Sequence, residues 1–180
     1  MNQNLQQIKQ AKSGDTDAFA NLYRIYYTDL YRFALYTLKN PADAEDAVSE
    51  TVIDAFASIR KLRLEASFKA WIFKILSAKC KRRLKNRFEL PEEYLTNIPD
   101  TDHLNNVAEK IDIRRQFFLL KNEERLIISM HIFAGYTTRE IAKILHMNAN
   151  TVRSKESRAL KKLSLKLSET DSKRKGEAND

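Results

Sequence analysis

Cysteine is nearly missing from this chain: its 180 residues hold one, Cys80. A lone thiol excludes an internal disulfide and any cysteine-built metal cluster, and it suits a reducing compartment. Glycine and proline are almost as scarce, at three each. So few turn formers argue against a sheet of many short strands and for helices joined by short loops. The histidines, His103, His131 and His146, are scattered without ligand spacing, and no glycine-rich phosphate loop occurs. No cofactor is therefore expected, and an enzyme acting on nucleic acid finds no support. No apolar run reaches the length of a membrane span, and the opening MNQNLQQIKQ is polar, so neither an anchor nor a secretory signal is expected.

What the chain does have is positive charge. Lys and Arg number 32 against 24 acids, a net charge of +8. Such a surplus points to an acidic partner: nucleic acid, or with a poorer fit a membrane surface. The charge is concentrated in FKAWIFKILSAKCKRRLKNR, Phe68 to Arg87, which also carries the only Trp and no acid. On a helix Lys74, Ser77, Ala78, Lys81 and Lys85 share one side, while Ile72, Ile75, Leu76, Cys80 and Leu84 form a drifting apolar stripe opposite. One side is built to pack. The other is either a solvated basic face or a seat for a phosphate backbone.

Before it, Leu5, Ile8 and Ala11 predict a short helix ending near Gly14, and Asp15 predicts the cap of the next. That second run is expected to break at Thr28–Asp29. The tyrosines between 23 and 36 read as core or half-buried residues with wet hydroxyls rather than base-stacking platforms. Asn40–Pro41 is a helix start. In the helix that follows, Ala44, Val48, Thr51, Val52, Ala55 and Ile59 make a packing face, and Asp43, Asp46, Glu50 and Asp54 line up across from it with Ser49 beside them. Four carboxylates in a row are either solvated or meant for a basic partner. Lys61–Ser67 reads as a short loop, with Ser67 capping the basic helix.

From Glu89 to Asn106 the chain carries two prolines, five acids and no Lys or Arg. This stretch reads as an acidic linker between two helical domains. Past it, Val107, Ile111, Arg114, Phe117, Phe118 and Leu120 predict one helix. Asn122 is expected to cap a second helix, closed by Gly135. Thr137–Glu140 is a capping box opening a short helix with Ile141, Ala142 and Leu145 inward. His146–Met147 turns the chain, and Asn148 caps a longer helix from Ala149 to about Leu163. Short helix, tight turn, longer helix over about Glu140 to Ala159 is the helix-turn-helix arrangement. Its last helix presents Asn150, Thr151, Arg153, Ser154, Lys155, Ser157 and Arg158, side chains suited to base edges and phosphates. After Ser168 the sequence is polar and is expected to be disordered.

Two stretches together resemble the bacterial RNA polymerase sigma factors of the extracytoplasmic-function group. FANLYRIYYTDLYRFALYTLKNPADAEDAVSETVIDAF with SFKAWIFKIL resembles the family's second region, and GYTTREIAKILHMNANTVRSKESRALKKL its fourth. The resemblance implies an all-α fold: a region 2 domain over 1–88, the linker over 89–106, a helix-turn-helix domain over 107–168, and a tail over 169–180. It implies that Asp43, Glu45, Asp46, Ser49, Glu50 and Thr51 dock on the clamp helices of the core polymerase's largest subunit. It implies that the loop Leu62, Arg63, Leu64, Glu65, Ala66 and Ser67 captures a base flipped from the −10 element of promoter DNA. Lys69, Lys74, Ser77, Lys81, Arg82 and Lys85 would then hold that element. Asn148, with Asn150 to Arg158, would place the second domain at the −35 element. The linker would thread the polymerase's RNA channel. An anti-sigma protein is a further partner that the family admits, and the bacterial cytoplasm is the expected compartment. Ala78 and Arg82 stand where many members have Asn and Asp, His146 replaces the usual turn glycine, and Glu156 replaces a common Leu. The competing reading is a stand-alone helix-turn-helix regulator with an N-terminal sensing domain.

Overall fold

A computed structural model describes residues 3–85 and 114–177, with side chains over 4–85 and 114–165; the expected linker and the helical positions Val107 and Ile111 lie outside the described residues. Every regular element among the described residues is helical. None of these helices is long and apolar enough to cross a membrane.

The first helix, α1 (Gln3–Ser13), buries Ile8 and Ala11. Gly14 ends it at φ +107°, a value an L side chain rarely adopts. Asp15 then caps α2 (Thr16–Leu38), accepting the Ala18 N–H at 3.0 Å. The expected break at Thr28–Asp29 does not occur, and α2 runs 23 residues without interruption. Neither residue is a helix breaker, and Leu22, Leu30, Phe33, Ala34 and Thr37 are buried along it. Tertiary burial carries the helix through two modest formers.

Lys39 turns the chain with a left-handed backbone, φ +58°, its N–H on the Leu35 carbonyl at 2.8 Å. Asn40 follows in extended conformation, as a residue before proline prefers, and accepts the Asp43 N–H at 2.9 Å to start α3 (Pro41–Ser58). With so short a joint, α3 returns antiparallel along α2, and Phe56 near its end meets Phe19 near the start of α2 at 5.1 Å. Two single 3-10 turns, Ile59–Lys61 and Glu65–Ser67, lead into α4 (Phe68–Lys85). Ser67 does not cap it: its hydroxyl donates backward to the Leu64 carbonyl at 2.7 Å.

In the second region a helical turn at 114–118 precedes α5 (Asn122–Ile132). The cap lies one residue earlier than expected. Lys121 holds that position with its N–H on Glu124 Oε2 at 3.1 Å, while Asn122 accepts from Arg125 instead. The capping box is present as predicted, opening α6 (Thr138–Leu145): Glu140 takes the Thr137 N–H at 2.8 Å. Asn148 accepts the Asn150 N–H at 2.8 Å and starts α7 (Ala149–Glu177). That helix does not stop near Leu163, and the stretch after Ser168 is helical to Glu177 rather than disordered. The sequence there contains no proline and only one glycine, Gly176, so nothing in it breaks a helix already propagating.

The two regions share one continuous core. Tyr36 on α2 meets Phe117, Phe118 and Phe133 at 5.3, 5.7 and 5.7 Å, and Phe33 meets Phe133 at 6.5 Å. Arg125, buried at this joint, donates to the Thr37 carbonyl of the first region at 3.2 Å and to the Leu120 carbonyl of its own at 2.5 Å. These carbonyls need donors where water is excluded, and the guanidinium supplies them across the boundary.

His146 holds φ +56° where glycine would be free of strain. His146→Gly is expected to raise stability by up to about 1 kcal/mol, and a β-branched His146→Val to lower it by more. Thermal unfolding should show this as a midpoint shift of roughly 2–4 °C per kcal/mol.

Candidate nucleic-acid interface

The acids of α3 differ in what they meet. Asp54 Oδ2 pairs with Lys79 Nζ at 2.5 Å. Glu50 pairs with Arg83 at 2.6 Å, Arg82 at 2.8 Å and Lys79 at 3.5 Å. The Arg83 hydrogen bond, with the nearby cations, holds the Glu50 carboxyl below the usual carboxylate range. Glu45, Asp46 and Ser49 instead face solvent. Thr51, expected at a docking surface, is fully buried with its hydroxyl on the Ala47 carbonyl at 2.7 Å. That agrees with its place on the packing stripe, readable from the helical period.

Two residues of this surface were not singled out by sequence reasoning. Ile53 is 67% exposed and Phe56 47% exposed, on the same flank as Ser49. Their signal was present, since they are large apolar residues lying off the packing stripe at a spacing of three. Next to them on α2, Tyr23, Tyr27 and Tyr31 contact in series at 5.5 and 6.1 Å.

Helix α4 turns Phe68, Ile72, Phe73, Leu76 and Cys80 into the core. Ser77, expected among the DNA-holding residues, is also buried, its hydroxyl on the Lys74 carbonyl at 3.0 Å. Burial raises the Cys80 thiol pKa strongly, which keeps it protonated and unreactive. Lys69, Lys74, Ala78, Lys81, Arg82 and Lys85 are exposed, with Lys69 over the Phe73 ring at 5.8 Å. In the preceding loop Leu62 is buried and anchors the turn, whereas Leu64 stands out at 68% exposure between exposed Arg63 and half-buried Glu65. Lys12 on α1 holds Glu65 at 2.7 Å and so ties the loop to the first helix.

In the second region Val152 and Ala159 are buried. Asn150, Thr151, Arg153, Ser154, Ser157 and Arg158 are exposed along α7, with Lys155 half-buried against Glu123 at 2.7 Å. The predicted recognition face is thus open to solvent. Glu156, which displaces an apolar packing residue, is satisfied by polar contacts: Thr138 Oγ1 donates to it at 2.9 Å, and His131 Nδ1 lies 3.6 Å away. Lys162 fastens α7 to α5 through the buried Glu124 at 2.9 Å.

The helix-turn-helix abuts the basic face of α4. Lys81 Nζ donates to the Leu145 carbonyl at 2.8 Å, placing a cation at the negative end of α6. The Tyr136 hydroxyl donates to the Ala70 carbonyl. Beside these contacts lies an open cleft of about 840 Å³, lined by Trp71, Lys74, Lys81, Arg82 and Lys85 and by Leu145 and His146 of the turn. The helix-turn-helix is thus joined to the basic face of α4 through α6 and the turn, while the face of α7 at Asn150–Arg158 does not line this cleft.

Comparison with known proteins matches residues 22–88 to the family profile for sigma-70 region 2 and residues 113–163 to that for sigma-70 region 4. The chain is 28% identical over 152 residues to the ECF RNA polymerase sigma factor SigM of Mycobacterium tuberculosis, covering 84% of this chain and 78% of that protein. To the ECF RNA polymerase sigma factor SigW of Bacillus subtilis it is 25% identical over 166 residues, covering 82% and 88%. Among solved structures, its fold is similar to CnrH in complex with the cytosolic domain of CnrY, with a TM-score of 0.64 and 22% identity over 92% of this chain and 97% of that one. A sigma factor RpoE solved with the anti-sigma factor NepR from Bartonella quintana gives 0.63 and 21%, covering 83% and 96%.

The capping box of α6 generates a pH test. The Thr137 N–H holds the Glu140 carboxyl below its ordinary value of 4.5. A depressed folded pKa gives stability that is complete above 4.5 and is lost as pH falls through the folded value. Glu140→Ala should cost about 1 kcal/mol at neutral pH in urea unfolding. The gap from the parent chain should close as the medium is acidified.

Proposed function

The chain belongs to the sigma-70 family, in its extracytoplasmic-function group, and from that premise we propose that it is an alternative sigma factor that binds core RNA polymerase and directs it to one class of promoters. The observation that carries the reading is the pairing of two surfaces in one chain: an exposed helix-turn-helix face at Asn150–Arg158, and a basic helix with an exposed hydrophobic loop tip beside it. A stand-alone regulator needs the first surface and has no use for the second.

In this reading each surface has its own task. Arg153 and Arg158 offer guanidinium forks for guanine edges, and Asn150 an amide for adenine, in the major groove of the −35 element. Lys69, Lys74, Lys81, Arg82 and Lys85 grip the backbone of the −10 element as it opens. Leu64, with Arg63 and Ala66, borders the place where an extruded base lodges, which offsets the few kcal/mol that unstacking costs. Trp71, half-buried at the cleft wall, adds an aromatic face. Glu45, Asp46 and Ser49 meet a basic partner on the polymerase clamp, with Ile53 and Phe56 supplying the apolar part of that contact. The chain supplies specificity and the polymerase the catalysis, in the bacterial cytoplasm where transcription occurs.

The two DNA elements lie roughly 25 base pairs apart, on the order of 85 Å of duplex. A chain whose regions touch through Tyr136, Lys81 and Arg125 does not span that distance, so the regions part when polymerase is bound. An anti-sigma protein, the partner in the RpoE relative's complex, would act by stabilising the joined form.

Transcription by core polymerase with and without the chain tests the proposal. Initiation should depend on the chain, and Asp46→Lys should cut capture by core polymerase at least tenfold. Arg153→Ala should reduce promoter selectivity by about 1–3 kcal/mol at one −35 position. Repression or activation by the chain alone, without capture by any bacterial core polymerase, would overturn the reading in favour of the stand-alone regulator.

A further inference from the structure

The family resemblance places Glu50 with the docking acids, but its surroundings in the fold do not. Its carboxylate is directed at α4, one oxygen on Arg83 at 2.6 Å and the other on Arg82 at 2.8 Å with Lys79 at 3.5 Å. The side chains of Arg83 and Lys79 are only 17% and 16% exposed, whereas Arg82 is 61% exposed and lines the basic cleft. Asp54 takes the other side of Lys79 at 2.5 Å. Glu50 is thus the hub of a bridge between the helix proposed to face polymerase and the helix proposed to face DNA. The Arg82 arm depends on a cation at that position, since an Asp there would repel Glu50.

We infer that Glu50 is a positioning residue of the DNA-facing helix and not a docking group: it fixes α4 against α3 through Arg83 and holds Arg82 partly neutralised until a phosphate replaces it. This rests on the sigma-factor reading. Glu50 and a strand phosphate compete for Arg82. An exposed Arg–carboxylate pair contributes roughly 0–1 kcal/mol, so a strand phosphate displaces it readily at Arg82. The more covered Arg83 end is shielded from solvent and persists. When a phosphate takes Arg82, the DNA sheds a condensed cation, but Glu50 loses a cationic partner and draws one back from solution, so the net release is small. In the parent chain Arg82 therefore adds little to the salt dependence of DNA binding, and with Glu50 neutral it adds a full contact.

The test uses reconstituted holoenzyme and a promoter fragment held single-stranded across its −10 element, with affinity measured over a range of salt concentrations. Capture of the free chain by core polymerase is measured separately. For Glu50→Gln, capture should stay within about twofold of the parent. The slope of log affinity against log salt should steepen by about 0.7, the value of one cation on single-stranded DNA. Arg82→Gln alone should leave the slope nearly unchanged, and the double variant should return it to the parent value, a non-additivity that a loss of folding would not produce. Glu50→Asp should restore the parent slope. Should Glu50→Gln fail to unfold cooperatively, Arg82→Gln decides: a slope lowered by about 0.7 in that single variant overturns the inference. A tenfold loss of capture with an unchanged slope makes Glu50 a docking acid and overturns it, as does no change in either quantity. If the parent chain itself is not captured by core polymerase, the sigma-factor reading fails first, and the Asp46→Lys control identifies that case.

Discussion

The seating of α4 in the core governs the rest of this molecule. Phe68, Ile72, Phe73, Leu76 and Cys80 are all buried, with Phe73 against Phe33 of α2 at 5.6 Å. Burying the four large side chains among them contributes on the order of 6–12 kcal/mol. The ion pairs along the same helix are worth roughly 0–1 kcal/mol each. Burial therefore fixes the rotation of the helix, and the cations go where it leaves them. Some meet solvent at the cleft, and others meet the carboxylates of α3.

That rotation explains the division of the α3 acids. Once Lys79 and Arg83 are turned toward α3, Glu50 and Asp54 find partners within the fold and are committed to it. Glu45, Asp46 and Ser49 remain exposed on the same helix as Ile53 and Phe56. One helix thus divides its charge between an internal bridge and an external surface. The bridge ties the two helices together at Arg83 and Lys79.

The joint between the two regions follows a different logic. Tyr36 touches three phenylalanines of the second region, and aromatic pairs of this kind add about 0.5–1.5 kcal/mol each beyond their burial. Arg125 carries a buried charge whose donors satisfy carbonyls on both sides. Separating the regions exposes those rings and that guanidinium to water. Water re-solvates the polar groups, so the net cost of parting is mainly apolar. In the proposed function, a larger partner offering a comparable apolar surface would offset that cost.

Much of this was legible in the sequence. Asp15, Asn40–Pro41, the Thr137–Glu140 box, the left-handed His146 and the Asn148 cap are local chemistry, and local chemistry is written in short stretches of chain. The misplacements have specific physical causes. The break expected at Thr28–Asp29 was overridden by burial along α2. Asn122 lost its capping role to its neighbour because Arg125 claimed its side chain. Leu62 and Ser77 are loop or polar residues that the packing drew inward, whereas Thr51 lies on the packing stripe where its period puts it. Periodicity and capping depend on neighbours a few residues apart, so the sequence alone specified most of the helices, several of their starts, the helix-turn-helix and the sign of each surface. Only the tertiary structure decided that Glu50 faces Arg82 and Arg83, that Ile53 and Phe56 stay exposed, and that Lys81 meets the end of α6. Those contacts join residues 32 to 64 positions apart, and at that separation a partner is chosen by how whole helices pack and not by the residues beside it in the chain.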